Sequence, residues 1–128
     1  EGIYVVDLDT RDIQQLGGYK DGYGEVQFSP NGQFIAYTTF DSETGNDQVF
    51  MMRNDGSAHI RISPLGTDCD RYILTADNRM GIVCIPTDRY GDVTDGKPTF
   101  YDVHLNEGKV EGTQKISEAE FYNVFSEK

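Results

Sequence analysis

The chain has 128 residues, a length that suits one domain, and sets 22 acidic against 11 basic side chains for a formal net charge of −11. So negative a surface repels nucleic-acid phosphates and anionic membranes, which leaves basic proteins and cations as the partners to expect. No apolar run approaches the roughly 20 residues of a membrane helix, so no membrane insertion is expected. The opening Glu1-Gly2-Ile3-Tyr4 has neither the basic region nor the apolar stretch of a signal peptide and reads as a mature or trimmed chain. Two cysteines are too few for a disulfide scaffold, and two histidines 45 positions apart give zinc too few ligands.

In chain order, Ile3-Tyr4-Val5-Val6 is an apolar run that ends in the polar turn Asp7-Leu8-Asp9-Thr10, and Gln15-Leu16 follows. Residues 25–28 form a short alternating strand. Ser29-Pro30-Asn31-Gly32 is a turn, with Pro second and Gly fourth as type I chemistry prefers. Residues 34–39 return as an apolar strand, 41–47 make a polar loop, and 48–53 form a third strand. Asn54-Asp55-Gly56-Ser57 is the strongest hairpin signal in the chain, and 58–63 is the fourth strand. The pattern then recurs. Val49-Phe50-Met51-Met52 matches Ile3-Tyr4-Val5-Val6 at an offset of 46, and 72–80 matches 26–34 at the same offset. Phe100-Tyr101-Asp102-Val103-His104-Leu105 repeats the Val49 strand about 51 later, and Gln114-Lys115-Ile116 repeats its partner. Sustained helical periodicity is absent, although residues 117–121 suit one helical turn.

Four antiparallel strands in about 46 residues predict a β-propeller blade. Phe28-Ser29-Pro30-Asn31-Gly32-Gln33-Phe34-Ile35-Ala36-Tyr37 resembles one half of the WD-like propeller repeat of the TolB-like family. Val49-Phe50-Met51-Met52-Arg53-Asn54-Asp55-Gly56-Ser57, followed by Arg61-Ile62-Ser63, resembles the other half. The fold expected is therefore all-β: four-stranded antiparallel blades of an incomplete propeller, about two and a half of them. Residues 1–23 would supply the last two strands of one blade, 24–66 a full blade, and 67–121 a full but degenerate one. There Ala76-Asp77-Asn78 replaces Pro-Asn-Gly and the loop 86–98 is long. Residues 122–128 would open the next blade. Stacked blades need neighbours, so the expected partners include the missing blades of a longer parent or copies of the chain itself. The inner strands would be 26–29 and 72–75.

Few side chains stand out as a site. If Ile73 pairs near Gly81, Cys69 and Cys84 fall almost opposite each other, which suits a cross-strand disulfide or two buried thiols. Tyr19, Tyr23, Phe40 and Tyr90, with Tyr72, sit near strand ends and suit a binding rim or packing between blades. Asp88, Asp92 and Asp95 cluster oxygen ligands without the spacing of a calcium loop, as does the loop 41–47; solvated loops account for both and no cofactor is expected, with calcium at the Asp88, Asp92 and Asp95 loop as the alternative. Ser29 and Ser63 lie at turn and strand-end positions, with no nucleophile elbow. His59 and His104 read as exposed and strand-face residues.

The resemblance implies a non-catalytic module that binds a protein or other ligand, in the periplasm or cell envelope where TolB-like proteins act. Two other readings stay open. The same repeat occurs in propellers that gate serine peptidases of the prolyl oligopeptidase family, and metal-dependent polysaccharide-degrading propellers form another class.

Overall fold

The structure is a computed structural model that describes residues 3–17, 23–41, 43–75, 77–88, 92–94 and 96–125. It forms three antiparallel sheets. The first pairs β1 (Ile3–Val6) with β2 (Ile13–Gly17). The second runs β3 (Tyr23–Phe28), β4 (Phe34–Asp41), β5 (Asn46–Arg53) and β6 (Ile60–Arg61) in chain order. The third repeats that order with β7 (Thr67–Leu74), β8 (Arg79–Pro86), β9 (Thr99–Asn106) and β10 (Lys109–Ile116). Helix α1 (Glu118–Val124) follows.

Local chemistry sets the strand ends. Gly45 takes a positive φ of 75° and closes the β4–β5 hairpin onto Asp41 O at 2.8 Å, so β5 begins at Asn46, earlier than the predicted 48. The last strand of the second sheet is shorter than the predicted 58–63. Ala58 adopts φ 59°, outside the extended region, and the Ser63 hydroxyl accepts the Val49 amide at 3.0 Å where a strand carbonyl would otherwise do so.

One turn shifts the correspondence of β8 with β4 by one residue. In the second sheet Ser29 N donates to Phe34 O, five residues on; in the third, Thr75 N donates to Arg79 O, four residues on. The second turn is one residue shorter. Ile35, opposite Phe28, therefore corresponds to Met80, opposite Leu74, and Ala36 corresponds to Gly81. The predicted match of Phe34 with Met80 is off by one at this point. Side chains alternate across a strand, so a one-residue slip moves each to the other face. With the shorter turn, Ile35 faces the first sheet while Met80 and Ile82 face the second.

Two apolar layers result. Ile3 and Val5 pack against Ile35, Tyr37, Phe50 and Met52. Ala36, Val49 and Met51 pack against Cys69, Tyr72, Met80, Ile82 and Val103. The second layer also holds a polar strut. Fully buried Gln48 donates from Nε2 to Thr67 O at 2.7 Å and accepts the Ser63 hydroxyl on Oε1, which ties the connection 63–67 across the two sheets. Tyr72 hooks β7 onto the second sheet, donating its hydroxyl to Ala36 O at 3.0 Å and to Glu25 O. Glu25 carries φ 49° within a bulge of β3, and this turns its carbonyl out of the strand ladder.

Burial, helped by the Glu25 charge, pushes the Tyr72 phenol well above its ordinary pKa of 10.0. The unfolded chain releases that proton near pH 10 and the folded chain holds it. The stability it supplies is therefore complete below pH 10 and falls as alkali rises. We expect Tyr72→Phe to cost about 1–2 kcal/mol at pH 7 by denaturant titration, since the buried Ala36 carbonyl and the partly buried Glu25 carbonyl lose the donor they share. The same variant should flatten the alkaline loss of stability; an unchanged profile above pH 10 would refute the assignment.

Residues 122–125 depart from the strand opening expected over 122–128, of which 126–128 lie outside the described residues. A helical turn was predicted over 117–121, but the helix continues to Val124, with Phe125 as its C-cap. Ser117 caps it by accepting the Glu120 amide at 3.1 Å, and Glu118 and Glu120 favour its N-terminal dipole. Phe121 and Phe125, one turn apart, bury their rings against Phe100 and the outer face of the third sheet, which holds Phe125 out of any strand.

Candidate functional site

Three turns meet at one end of the layer between the second and third sheets. They are 29–32 before β4, 75–78 before β8 and 106–109 between β9 and β10. Between them lies a cleft of about 290 Å³. Its apolar lining comes from Phe34, Met51, Leu74 and Leu105, and its polar lining from Asn31, Gln33, Asn78, Asn106 and Glu107.

The first two turns are braced by their own side chains. Ser29 Oγ donates to Asn31 Oδ1 at 2.7 Å and accepts the Phe34 amide at 3.1 Å; Asn31 Oδ1 also accepts the Gln33 amide at 3.0 Å. Asn54 joins the 29–32 turn to its neighbour, donating from Nδ2 to Gly32 O at 3.1 Å. In the second turn the Thr75 hydroxyl donates to Asp77 and accepts the Arg79 amide at 3.3 Å. The Thr75 bond is the main reason the Asp77 carboxyl lies below its ordinary 3.8, so it stays ionised across the neutral range. The third turn is a two-residue hairpin. Glu107 and Gly108 take φ 51° and 76°, the mirror-image geometry that suits strand twist. Asn78 O accepts the Leu105 amide at 2.8 Å and locks the second turn to β9. The result is a mouth rich in amide donors and acceptors, with the Glu107 carboxylate in its lining.

Of the residues singled out in the sequence, Ser29 lines the cleft and Phe40 lies elsewhere. Phe40 is 56% exposed near the far end of β4 from the cleft, and the β3 backbone at Tyr23 pairs with Thr39 at that same far end. Tyr19 and Tyr90 lie outside the described residues, as does Asp95, and the side chain of Tyr23 is not described. Asp88 accepts the Asp92 amide on Oδ1 at 3.0 Å while its own amide donates to Asp92 O at 2.8 Å, so these two close a turn on each other. Asp41 likewise spends its carboxylate on the Glu43 amide and the Thr44 hydroxyl. Among the described residues no cluster of three or more His, Cys, Asp or Glu is placed to hold a metal ion. His59 meets the hydroxyl of buried Tyr37, and His104 lies exposed beside Asp102.

Cys69 and Cys84 are register partners with Cα atoms 4.2 Å apart and are joined by a disulfide. Ile73 does pair with Gly81, and a bulge between Cys69 and Arg71 shifts the register by one, which sets the two cysteines directly opposite. The cleft itself escaped the sequence reading. The alternating Ser/Thr and Asn/Asp of its turns signalled local structure but not that three distant turns converge.

No family model and no curated protein matches the chain. Solved structures do. A protein described as TolB from Agrobacterium tumefaciens is similar over 89% of this chain and 42% of its own, at 21% identity and a TM-score of 0.61. TolB from Acinetobacter baumannii is similar over 85% of this chain and 25% of its own, at 21% identity and a TM-score of 0.58. The chain thus spans less than half the length of either. With the sheet order above, the likeness shows an all-β fold of four-stranded antiparallel blades like those of the TolB structures.

Proposed function

We propose that this chain is a non-catalytic, protein-binding segment of a TolB-like propeller in the cell envelope, and that its cleft takes an extended polypeptide. The observation that carries the reading is the cleft's make-up: an apolar floor of Phe34, Met51, Leu74 and Leu105 under a rim of side-chain amides. Apolar floors supply affinity, and convergent polar groups set orientation. Amide side chains pair with a peptide backbone as both donors and acceptors. Glu107 in the cleft lining, with the overall charge of −11, favours a partner that carries lysine or arginine beside its apolar anchor. The serine hydroxyls weighed as nucleophiles have structural tasks: Ser29 braces a turn and Ser63 binds Gln48. A disulfide suits an oxidising compartment, in keeping with the periplasmic setting that the resemblance implies.

A displayed library of 12-residue peptides, panned against the full chain, tests this. The expected outcome is enrichment of peptides that combine an apolar anchor with lysine or arginine. A Gln33→Ala, Glu107→Gln variant should bind the enriched peptides about tenfold more weakly, with its melting unchanged. Enrichment without that basic–apolar pattern, or equal binding by the variant, would overturn the proposal.

A further inference from the structure

The 29–32 turn at the cleft mouth carries a chemistry that its bracing holds back. Asn31-Gly32 is the one asparagine–glycine pair in the sequence; every other asparagine precedes a residue with a side chain. A backbone amide nitrogen can attack the side-chain carbonyl of the asparagine before it, and glycine, without a Cβ, leaves that approach open. A Cβ added at Gly32 would meet nothing within 4 Å, and Asn31 is exposed to water. Against this stand the hydrogen bonds of the turn. The Gly32 amide, which would be the nucleophile, donates to Ser29 O at 2.8 Å. Asn31 Oδ1 accepts the Ser29 hydroxyl at 2.7 Å and the Gln33 amide at 3.0 Å, and a swing of the side chain onto Gly32 N breaks both. The neighbouring hairpin pins the residues that follow: Asn54 N donates to Gln33 O at 2.9 Å, and Asn54 Nδ2 to Gly32 O at 3.1 Å.

We propose that Asn31 is a self-modification site, a deamidation whose rate is set by opening of the Ser29-braced turn. In the open turn Gly32 N forms a bond to Asn31 Cγ, the Cγ–Nδ2 bond breaks, and the nitrogen leaves as ammonia with the Gly32 amide proton. Water then splits the cyclic imide at one of its two carbonyls, which gives aspartate or isoaspartate. Two effects compete in the closed turn. Donors on Oδ1 favour the oxyanion that attack creates. The same donors fix the side-chain amide, while the Gly32 proton stays bonded to the Ser29 carbonyl. Restraint wins, because a nucleophile that cannot reach Cγ gains nothing from a stabilised oxyanion. Opening breaks the bonds to Oδ1 and the Gly32–Ser29 bond, each worth a factor of about two to ten, so the folded chain reacts at least about tenfold more slowly than the unfolded one. Asn31 lines the cleft, so aspartate adds a negative charge there. Isoaspartate, whose main chain runs through Cγ, lengthens the turn itself. The site stands whatever the cleft binds.

Peptide mapping by mass spectrometry tests this on the full chain, incubated in mildly alkaline buffer with and without guanidinium chloride. Asn31 should exchange its NH2 for OH at least about tenfold more slowly in the folded chain than in denaturant, while the other asparagines stay intact. Ser29→Ala removes one donor from Oδ1 and the side-chain acceptor of the Phe34 amide. It should speed the folded reaction by about threefold or more and leave the rate in denaturant unchanged. Equal rates in the folded and unfolded chain, no reaction in denaturant, or a Ser29→Ala variant that reacts no faster than the parent would overturn the proposal. If Ser29→Ala fails to fold, hydrogen exchange on the parent decides. The Gly32 amide should exchange at least about tenfold more slowly than in the unfolded chain. Exchange at the unfolded rate would mean that the turn restrains nothing, and would overturn it.

Discussion

Reduction of the Cys69–Cys84 bridge is expected to lower the stability of this chain by roughly 3 kcal/mol, the chain-entropy value for a loop of about 15 residues. For a chain of this size that corresponds to a fall of about 10 °C in Tm. The effect is large because the bridge joins two strands of the third sheet at the point where it packs on the second. Both sulfur-bearing residues are buried in the layer that also holds Ala36, Val49 and Met51. Thr67 lies beside the bridge, its hydroxyl against Cys69 Sγ at 3.0 Å, while its carbonyl receives the buried Gln48 amide. Loosening β7 therefore unsettles the polar strut between the sheets as well as the β7–β8 ladder. Paired melts by circular dichroism, with and without a thiol reductant, measure this directly. A Cys69→Ala, Cys84→Ala variant should match the reduced protein and lose its sensitivity to reductant. A reduced protein that melts at the oxidised temperature would show that the ladder alone holds these strands.

Gly108→Ala should be about as damaging, by roughly 2–4 kcal/mol, for two separate reasons. Its φ of 76° lies in the left-handed region, where a side chain costs about 1–2 kcal/mol. Its missing Cβ also leaves room for the Phe34 ring, whose nearest atom would stand 2.5 Å from an added carbon. Phe34 is buried between the sheets, so relief requires repacking of a rigid ring at a typical overpacking cost of about 1–3 kcal/mol. Gly112, in β10 just after that turn, is the control: an added Cβ there meets nothing within 4 Å, and Gly112→Ala should change stability by less than about 0.5 kcal/mol. Urea titrations of the two variants against the parent test the pair. The Gly108 variant should also lose peptide binding, because Phe34 and Gly108 both line the cleft. Equal effects of the two substitutions would mean that the third turn does not key into the second sheet.

The strand positions, the hairpin turns and the antiparallel order were legible from local patterning: alternating apolar residues, Pro and Gly in register, and Asn-Asp-Gly-Ser at a sharp reversal. The facing of the third sheet was not. It depends on a turn at 75–79 that is one residue shorter than its counterpart at 29–34, a difference too small to break a 46-residue match yet enough to reverse the expected facing of every side chain of β8. The cysteine partnership depends similarly on a bulge at Asp70, which no local signal announces.

The end of the chain shows the same division. Ser117, Glu118 and Glu120 signal a helix start, and residues 122–125 resemble a strand opening. Which tendency prevails over Phe121 and Phe125 is set by an uncovered apolar face around Gly81, because burial of two rings outweighs the weak preference of a short segment. The cleft likewise joins residues 29–34, 74–78 and 105–108 only when two sheets stack. Sequence alone determined which stretches become strands and where they turn, since those are matters of neighbouring residues. Only the tertiary structure decided which faces meet, what covers the last sheet and where a ligand fits, since those are set by residues far apart in the chain.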